Sequence, residues 1–429
     1  MGNRPNARGH AAELLHQVAY GGRSLDRALM DASPQDRDQP LVQELTIGSV
    51  RHFFSLSDEI GSRLNSPLKP RDAIVQCLLT IGAYQIRHTR IPRYAAVNET
   101  VNAARQIGRP WARGLINQVL RRIASEAPSP PSSAEAQYDH PAWLIDLISA
   151  DYPTVWKEIL AANLRRAPLA LRVNLSASTR ESYHDLLRRH DVSARFALPA
   201  EGLVLDAPTR VADLPGFCEG AFTVQDPGAM WAASLLDAAG TERVLDACAA
   251  PGGKATHLLQ RAPHIRLTAL DVDGLRGETM RSEFRRLGLD TSRVQEGDAT
   301  GLDWWDGDPY QRVLLDAPCT GTGTLRRHPD IKLLKRASDI GPYQDLQGRL
   351  LGSLWRVLAP GGRMLYCTCS LLSLENDGVI EKFVSMTRDA HPSPILADWG
   401  IATQYGRQLV PIGDGSDGFY YAMLEKRNA

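Results

Sequence analysis

The stretch Val244-Leu-Asp-Ala-Cys-Ala-Ala-Pro-Gly-Gly-Lys254 decides the fold of the second half of this 429-residue chain. A short apolar run ends in a glycine-rich turn, and a helical pattern follows over residues 254–261, so the segment predicts a strand, a turn and a helix. Glycines in such a turn let the backbone approach a ligand, and the N–H groups of the first helical turn face it. Because no Ser or Thr follows Lys254, the turn does not match a P-loop, and it also lacks the spacing Gly-x-Gly-x-x-Gly.

The same order of strand, turn and helix repeats on the C-terminal side of this stretch. Strands are predicted over residues 243–247, 266–270, 294–296, 312–315, 363–368 and 419–424, and helices over 254–261, 275–287, 343–358 and 375–386. Repeated βα units form a parallel sheet with helices on both faces. We therefore predict a Rossmann-like α/β domain over residues 226–429.

The N-terminal part of the chain has a different pattern. Residues 10–124 show one helical pattern after another and no strand-like alternation, which predicts an all-α domain over residues 1–125. The Pro- and Ser-rich segment 126–135 is a predicted linker. Residues 136–225 mix short helical and strand patterns, which predicts a small α+β subdomain, so the chain is expected to be multidomain.

Composition and cysteine use exclude several protein classes. The formal net charge is zero, which argues against a uniformly basic nucleic-acid binder, and no apolar stretch approaches the roughly 18 to 20 residues that cross a bilayer. The polar first ten residues argue against a secretory signal, and six scattered cysteines fit a reducing compartment. Neither Cys-x-x-Cys nor His-Glu-x-x-His, the spacings typical of metal sites, occurs in the sequence. We expect a cytoplasmic protein with no bound metal.

The zero net charge hides two basic segments. Residues 85–122 contain eight arginines and one acid, and residues 326–336 contain five arginines and lysines and one acid. Clusters of this kind can contact nucleic-acid phosphates, and for the first segment the alternative is a solvated helix face. In the second segment we predict phosphate contacts by Arg326, Arg327 and Lys332, with a surface turn held by ion pairs as the alternative.

Three aspartates follow successive predicted strands. Asp271 ends the second strand, nineteen residues after Gly252, where an acid accepts hydrogen bonds from ribose hydroxyls. Asp298 follows the third strand, within reach of an adenine amine, and Asp316 follows the fourth. Together they suit a nucleoside with an amino group and no phosphate, such as S-adenosylmethionine. The alternative for each one is that it only caps the next helix.

Two cysteines also follow predicted buried strands. Cys319 stands in Asp316-Ala-Pro-Cys319, and Cys369 stands in Tyr366-Cys-Thr-Cys-Ser370. Residues just past the ends of parallel strands face the reaction crevice of an α/β domain. Two thiols at one crevice indicate covalent chemistry with a separate task for each. The alternative is that both are small buried apolar residues.

Five segments of the second half of the chain and its border carry a family resemblance. The segments 246–254, 316–330 and 366–370 resemble the RNA cytosine-C5 methyltransferases, as do Phe222-Thr-Val-Gln-Asp226 and Asp417-Gly-Phe-Tyr-Tyr-Ala422. Within that superfamily the chain is most similar to the bacterial Sun/Fmu (RsmB) family, which modifies a cytosine of 16S ribosomal RNA. Its NusB-like helical domain is matched by the motifs Glu44-Leu-Thr-Ile-Gly48, Ile81-Gly-Ala-Tyr84, Ile91-Pro-Arg-Tyr-Ala-Ala-Val-Asn-Glu99 and Leu115-Ile-Asn-Gln-Val-Leu-Arg121. The resemblance spans nearly the whole chain and implies a class I methyltransferase fold at the C-terminus.

The resemblance implies a role for each motif residue. Cys369 would attack carbon 6 of the cytosine, Cys319 would assist proton removal and product release, and Asp316 would bind the N3/N4 edge of the base. The implied cofactor is S-adenosylmethionine. Its implied contacts are Cys248, Ala249, Ala250, Pro251, Gly252, Gly253, Lys254, Asp271, Asp298 and Asp316. The implied partner is 16S ribosomal RNA, free or early in subunit assembly, bound by a monomer.

Two departures from the family pattern leave alternatives open. Thr320 stands where Ser is usual, and Cys367 adds a third thiol. Because Cys367 and Cys369 lie two apart on a strand, their side chains start on the same face, and spacing alone does not rank them as nucleophiles. Cys319 is a further candidate, since Pro-Cys holds the nucleophile in DNA cytosine methyltransferases.

The remaining alternatives concern the substrate and the class of protein. The same chemistry on a tRNA or 23S rRNA cytosine is possible, and a non-catalytic rRNA-binding assembly factor would need only the helical domain. Methyltransferases of exocyclic amines usually carry Asn- or Asp-Pro-Pro-aromatic after the fourth strand, where this chain has Asp-Ala-Pro-Cys.

Overall fold

The computed structural model describes residues 6–30, 38–413 and 415–427, and the chain forms two compact units. The first comprises Met1–Arg166 with Leu325–Ala337, and the second comprises Ala167–Thr324 with Ser338–Ala429. The predicted subdomain over residues 136–225 therefore spans the division between the two units. Within the described ranges, no helix has both the length and the apolar character needed to cross a membrane.

The first unit is helical throughout its described part. Its helices are α1 (Ala7–Ala19), α2 (Leu25–Met30), α3 (Gln39–Arg51), α4 (Phe53–Gly61), α5 (Ala73–His88), α6 (Arg93–Gln106), α7 (Arg113–Ser125), α8 (Ala134–Tyr138), α9 (Ala142–Asp151) and α10 (Trp156–Asn163). The segment Leu325–Ala337, which also belongs to this unit, adds α15 (Ile331–Leu334). Helix α5 is buried along most of its length and packs against α1, α3, α4, α6 and α7. The all-α prediction for the N-terminal domain is confirmed.

The second unit contains two sheets, and the smaller one comes first in the chain. Its strands are β1 (Ala170–Val173), β2 (Ala194–Ala197), β3 (Gly202–Leu205) and β4 (Phe222–Val224), antiparallel in the order β2-β3-β1-β4. Helix α11 (Arg180–Arg189) begins after Thr179, whose side chain accepts a hydrogen bond from the N–H of Ser182, as a capping residue does. Tyr183 and Leu187 on α11 pack with Leu203 and Phe222 of the sheet to form a small core.

The larger sheet forms the α/β part of the second unit. Its strands are β5 (Arg243–Ala247), β6 (Arg266–Asp271), β7 (Val294–Glu296), β8 (Tyr310–Asp316), β9 (Leu358–Thr368), β10 (Ala390–Ser393), β11 (Ile401–Ala402), β12 (Arg407–Leu409) and β13 (Phe419–Lys426). Its helices are α12 (Pro227–Leu236), α13 (Gly253–Arg261), α14 (Gly274–Arg286), α16 (Ile340–Val357) and α17 (Asp377–Met386). The strand order is β11-β12-β13-β9-β8-β5-β6-β7, with β10 paired to β13.

Five central strands of this sheet are parallel. β5 pairs with β6 and β8, β6 pairs with β7, and β8 pairs with β9, all parallel, whereas β13 runs antiparallel to β9. Central residues such as Val244, Leu314 and Leu365 are wholly buried, as strands covered on both faces require. This arrangement confirms the predicted Rossmann-like class and brings the carboxyl ends of five strands to one edge.

Candidate active site

The pairing register aligns the ends of β5, β6, β8 and β9. Ala247 at the end of β5 pairs with Leu270 on β6 and with Leu315 on β8, and Asp316 pairs with Cys367 on β9. The loops that leave these strands therefore start at the same level of the sheet. Each of the predicted catalytic residues stands on one of these strand ends or in the loop that follows it.

The turn after β5 has the shape of a ligand cradle. Cys248 has a φ of +60°, and Gly252, the residue before α13, has a φ of +98°. A Cβ atom on Gly252 would lie 2.7 Å from Cγ of Met280, so both the backbone conformation and the close approach require glycine there. The first N–H groups of α13 have no acceptor within the helix, as at any helix start, which leaves them available to a ligand.

Two of the three predicted cofactor carboxylates, Asp271 and Asp298, already accept local hydrogen bonds. Oδ2 of Asp271 accepts one from the Ala250 N–H at 2.9 Å, and its Oδ1 accepts one from the Asp273 N–H at 3.0 Å. Oδ1 of Asp298 accepts from the N–H and the hydroxyl of Thr300, both at 2.8 Å. A carboxylate has about four acceptor sites, so each group keeps capacity for ribose hydroxyls or an adenine amine.

Asp246, the last carboxylate before the turn, is wholly buried beneath it. Neither of its side-chain oxygens has a hydrogen-bond partner among the described residues. Burial, and then the charge of Asp316, raise the pKa of Asp246 well above its usual range, although the nearby Lys254 opposes the shift. An acceptor of this kind beside a glycine cradle fits a ligand that carries an amino group, which S-adenosylmethionine does.

The raised pKa of Asp246 makes stability depend on pH. Because the folded carboxyl holds its proton more tightly than the unfolded one, its contribution is present at acid pH and is lost as the pH rises through the folded pKa. We expect Asp246→Asn to gain stability relative to the parent protein as the pH rises from 5 to 8, by at most about 1.4 kcal/mol per pH unit. Urea unfolding without cofactor at several pH values measures this. The exposed Asp345→Asn is the control, and a pH-independent difference for Asp246→Asn would contradict the expectation.

Lys254 and Asp316 form an ion pair at the entrance of this turn. Nζ of Lys254 lies 2.6 Å from Oδ2 of Asp316 and 5.5 Å from the centre of the Phe419 ring. Burial is the largest single influence and would lower the pKa of Lys254, but the charge and hydrogen bond of Asp316, together with the nearby Cys367 and Asp246, raise that pKa above its usual value. The other oxygen of Asp316 accepts a weak hydrogen bond from the Cys367 thiol, with Sγ and Oδ1 3.5 Å apart. Asp316 is about one-third exposed and remains accessible to a ligand.

The two predicted catalytic thiols are neighbours. Sγ of Cys319, in the loop after β8, lies 3.5 Å from Sγ of Cys369, which directly follows β9. Both residues are half-buried, whereas Cys367 is wholly buried. The hydrogen bond to Cys369 and then burial raise the pKa of Cys319 well above its usual value. Burial and then the charge of Asp316 raise the pKa of Cys367 as well. A thiol that shares a proton with its neighbour lets one of the pair ionise while the other stays protonated.

Gly323 brings the two cysteine loops together through backbone contacts. Its N–H donates to the Cys369 carbonyl at 2.8 Å, and its carbonyl accepts from the Gly418 N–H at 2.8 Å. A Cβ atom on Gly323 would lie 2.2 Å from the Gly418 carbonyl oxygen and 2.8 Å from that of Cys369. These neighbours are backbone atoms, so they cannot move aside as a flexible side chain would.

We expect Gly323→Ala to destabilise the protein by about 1–3 kcal/mol, because the added methyl group forces two backbone segments apart. Denaturant unfolding measures this change. Gly348→Ala is the matched control: a Cβ there meets nothing within 4 Å, and the residue lies inside α16, so about 0.5–1 kcal/mol of stabilisation is expected. Equal stability for the two variants would contradict the close packing at Gly323.

One residue of the site escaped prediction from the sequence. Glu375 is wholly buried, and its carboxylate accepts hydrogen bonds from Thr320 and Ser370, the residues that directly follow the two cysteines. The one available signal is an acid six positions after Cys369, in Ser370-Leu-Leu-Ser-Leu-Glu-Asn376. Acids at that spacing occur on many exposed helices, so the sequence alone did not distinguish this one.

The predicted phosphate contacts need a correction. Lys332 is buried, and its Nζ donates to the backbone carbonyls of Arg51 at 2.6 Å and Asp139 at 2.7 Å. Burial lowers the pKa of Lys332 to about 7. Arg326 is also buried, and its carbonyl accepts from the Arg51 guanidinium at 3.1 Å. Both side chains lie in the interior of the first unit, so the prediction that they contact phosphates is wrong for this conformation; Arg327 is half-buried and remains a candidate.

Comparison with known proteins finds matches along most of the chain. The family model described as 16S rRNA methyltransferase RsmB/F matches residues 233–425. The NusB family model matches residues 5–125, and the model of an RsmF/B-like ferredoxin-like domain matches residues 140–212. These matches agree with the predicted fold classes of the three regions.

Curated relatives and a solved structure cover nearly the whole chain. The probable ribosomal RNA small subunit methyltransferase B of Coxiella burnetii is 41% identical over 98% of this chain and 99% of its own length. Ribosomal RNA small subunit methyltransferase B of Pseudomonas syringae is 41% identical over 98% of this chain and 97% of its own. The crystal structure of PH0851 matches 98% of this chain and 99% of its own with a TM-score of 0.82, at 22% identity, which shows a shared fold.

Proposed function

Because the chain belongs to the RsmB/F family of 16S rRNA methyltransferases, we propose that it methylates carbon 5 of one cytosine in 16S rRNA through a covalent cysteine adduct. The methyl donor is S-adenosylmethionine, which supplies an activated methyl group on a cationic sulfur. The observation that carries the proposal is the 3.5 Å separation of the Cys319 and Cys369 sulfur atoms beside the Lys254–Asp316 pair. A nucleophile, an acid or base and a binding group for the base stand within one cluster.

The chemistry needs a nucleophile because carbon 5 of cytosine is too electron-poor to accept a methyl group unaided. A thiolate at Cys369 adds to carbon 6, and the electron pair of the 5,6 double bond makes carbon 5 nucleophilic. A proton shared between Asp316 and ring N3 draws electron density toward that edge of the ring and favours the addition. After methylation, carbon 5 carries both a proton and the methyl group, and loss of that proton expels the Cys369 thiolate.

Cys319 is suited to take the proton from carbon 5. Its pKa is raised first by the hydrogen bond to Cys369, then by burial and then by the charge of Cys369. When the Cys369 sulfur bonds to carbon 6, it carries no charge and is a poor hydrogen-bond acceptor, so the two causes that involve Cys369 weaken, while burial and the charge of Glu375 remain. The Cys319 thiol can then lose its proton to solvent, and the resulting thiolate takes the proton from carbon 5. In this mechanism Cys369 attacks the base, and Cys319 removes the proton that allows the methylated base to leave.

The surroundings of the three thiols favour Cys369 as the nucleophile over Cys367. Cys367 is wholly buried and donates to Asp316, and burial disfavours its thiolate. Cys369 directly follows β9, is half-buried and lies within hydrogen-bond distance of the Cys319 thiol. The target base must leave any stack to meet these sulfurs, which suits an unpaired nucleotide of rRNA that is free or early in assembly.

Bisulfite mapping of total RNA tests the substrate. Cells with the protein and cells without it are compared, and one 16S position is expected to lose 5-methylcytosine when the protein is absent. Expression of the parent protein should restore the mark, and expression of Cys369→Ala should not. Unchanged 16S rRNA with a lost mark in tRNA or 23S rRNA would reject the proposed substrate while keeping the chemistry.

A further inference from the structure

The Glu375 carboxylate lies between the loops that carry the two thiols. Its Oε1 accepts a hydrogen bond from the Thr320 N–H at 2.8 Å. Its Oε2 accepts from the Thr320 hydroxyl at 2.5 Å and from the Ser370 hydroxyl at 2.6 Å. Thr320 directly follows Cys319, and Ser370 directly follows Cys369. One wholly buried carboxylate thus bonds to the neighbour of each reactive cysteine.

We propose that Glu375 is a positioning residue that holds the Cys319 and Cys369 sulfur atoms at the separation needed for release of the methylated base. The inference rests on the function proposed above. Hydrogen bonds to a carboxylate are shorter and about twice as strong as those between neutral groups. Because three such bonds converge on the Glu375 side chain, they hold the Cys319 loop and the Cys369 loop in a fixed position relative to each other.

The other end of Glu375 is anchored as well. The Tyr366 hydroxyl donates to the backbone carbonyl of Glu375 at 2.7 Å, which ties this residue to strand β9. On the Cys319 side, Nε2 of the buried Gln347 donates to the Pro318 carbonyl at 2.9 Å. The Cys319 loop is therefore held from two directions, by Gln347 before the cysteine and by Glu375 after it.

Replacing Glu375 should slow release of the methylated base more than it slows attack by Cys369. Attack needs one sulfur, Cys369, in contact with carbon 6. Release needs two sulfurs placed on the same base at once, one bonded to carbon 6 and one near the proton on carbon 5. A shift of about 1 Å in a reacting group can cost roughly 100-fold in rate. Loosening the Cys319 loop should therefore slow release and let the covalent adduct accumulate.

The test compares Glu375→Gln and Glu375→Ala in the full-length protein, with S-adenosylmethionine and 16S rRNA. The glutamine variant keeps one acceptor oxygen for the Thr320 N–H, and the alanine variant keeps none. We expect turnover to fall about 10-fold for glutamine and about 100-fold for alanine. Adduct formation in a single turnover, read as a shifted band on a denaturing gel, should change less than threefold, so adduct accumulates during turnover.

The matched control is Glu201→Gln, which alters another buried carboxylate of the same unit. Glu201 accepts from Arg261 and lies 3.4 Å from Nε2 of His257, and none of these residues belongs to the proposed chemistry. This variant should release its product at the parent rate. Thermal unfolding of all variants identifies loss of fold. If Glu375→Ala does not fold, Thr320→Val, which removes only the hydroxyl bond, replaces it and should show the same accumulation.

Two outcomes would overturn the inference. A proportional loss of adduct formation and turnover in the Glu375 variants would mean a general structural role. Release at the parent rate in folded Glu375 variants would mean that the tether does not position the thiols. Failure of the parent protein to form any adduct would instead reject the proposed function itself, so the two failures are distinguishable.

Discussion

Replacing Cys369 by alanine is expected to lower methylation of 16S rRNA by roughly 10,000-fold or more and to abolish the covalent adduct. The reason is that no second sulfur can take its place. Cys319 lies 3.5 Å away but is held in its own loop, and Cys367 is wholly buried against Asp316. Methyl transfer is measured with labelled S-adenosylmethionine, and the adduct is measured as protein that migrates with RNA on a denaturing gel.

The control for this substitution is Cys218→Ala, which removes an exposed thiol of the same unit and should keep both activities. Cofactor binding by Cys369→Ala, followed by calorimetry, should stay close to that of the parent, because the residue lies outside the glycine-rich turn. An adduct that persists in Cys369→Ala and disappears in Cys319→Ala would reverse the proposed roles of the two thiols.

The substitution Cys319→Ala is expected to have the opposite effect on the adduct. Attack by Cys369 still occurs, but the base for carbon 5 is missing, so the methylated cytosine stays bonded to the enzyme. Turnover should fall by roughly 100- to 10,000-fold, the usual contribution of a positioned acid or base. A stable RNA–protein complex should appear in a denaturing gel after incubation with S-adenosylmethionine and 16S rRNA.

The complex formed by Cys319→Ala should require Cys369. The double variant Cys319→Ala, Cys369→Ala is therefore expected to give no shifted band. Nuclease treatment should return the protein to its normal mobility with a nucleotide attached. If the Cys319→Ala variant instead turns over at the parent rate, another group removes the proton, and the raised pKa of Cys319 has no part in release.

The architecture of the α/β domain was predictable because its signals are local. The apolar runs at 243–247 and 312–315 are buried strands in the structure, and the glycine-rich turn after the first one requires a glycine at position 252. Residues at the ends of parallel strands share one edge of the sheet, so the sequence alone predicts that Cys319, Cys369 and Asp316 lie close together.

The short strands β2, β10, β11 and β12 were not predictable in the same way. They contain two to four residues and stand at the edges of the sheets or beside β13. β2 and β11 have no buried residue at all. Such strands lack the apolar run or alternation on which a prediction depends. Their pairing is set by neighbouring strands, which is information that lies far away in the sequence.

Two side chains show where local patterns fail for the site itself. Lys332 stands in a basic run that predicts phosphate contact, yet its ammonium group donates to the carbonyls of Arg51 and Asp139, residues far away in sequence. Glu375 appears in the sequence as one acid before a helix, yet Thr320 and Ser370 converge on it. In both cases long-range packing, which no local spacing encodes, decides the surroundings of the charge.

The most direct test of the central claim identifies the sulfur that bonds to the base. 16S rRNA is transcribed with 5-fluorocytidine, so that carbon 5 carries fluorine, which cannot leave as a proton, and the methylated adduct persists on the parent enzyme. After digestion with nuclease and protease, fragment-ion mass spectrometry locates the nucleotide on the peptide. The proposed mechanism predicts the adduct on Cys369 alone. An adduct on Cys319 or Cys367, with Cys369 unmodified, would contradict it.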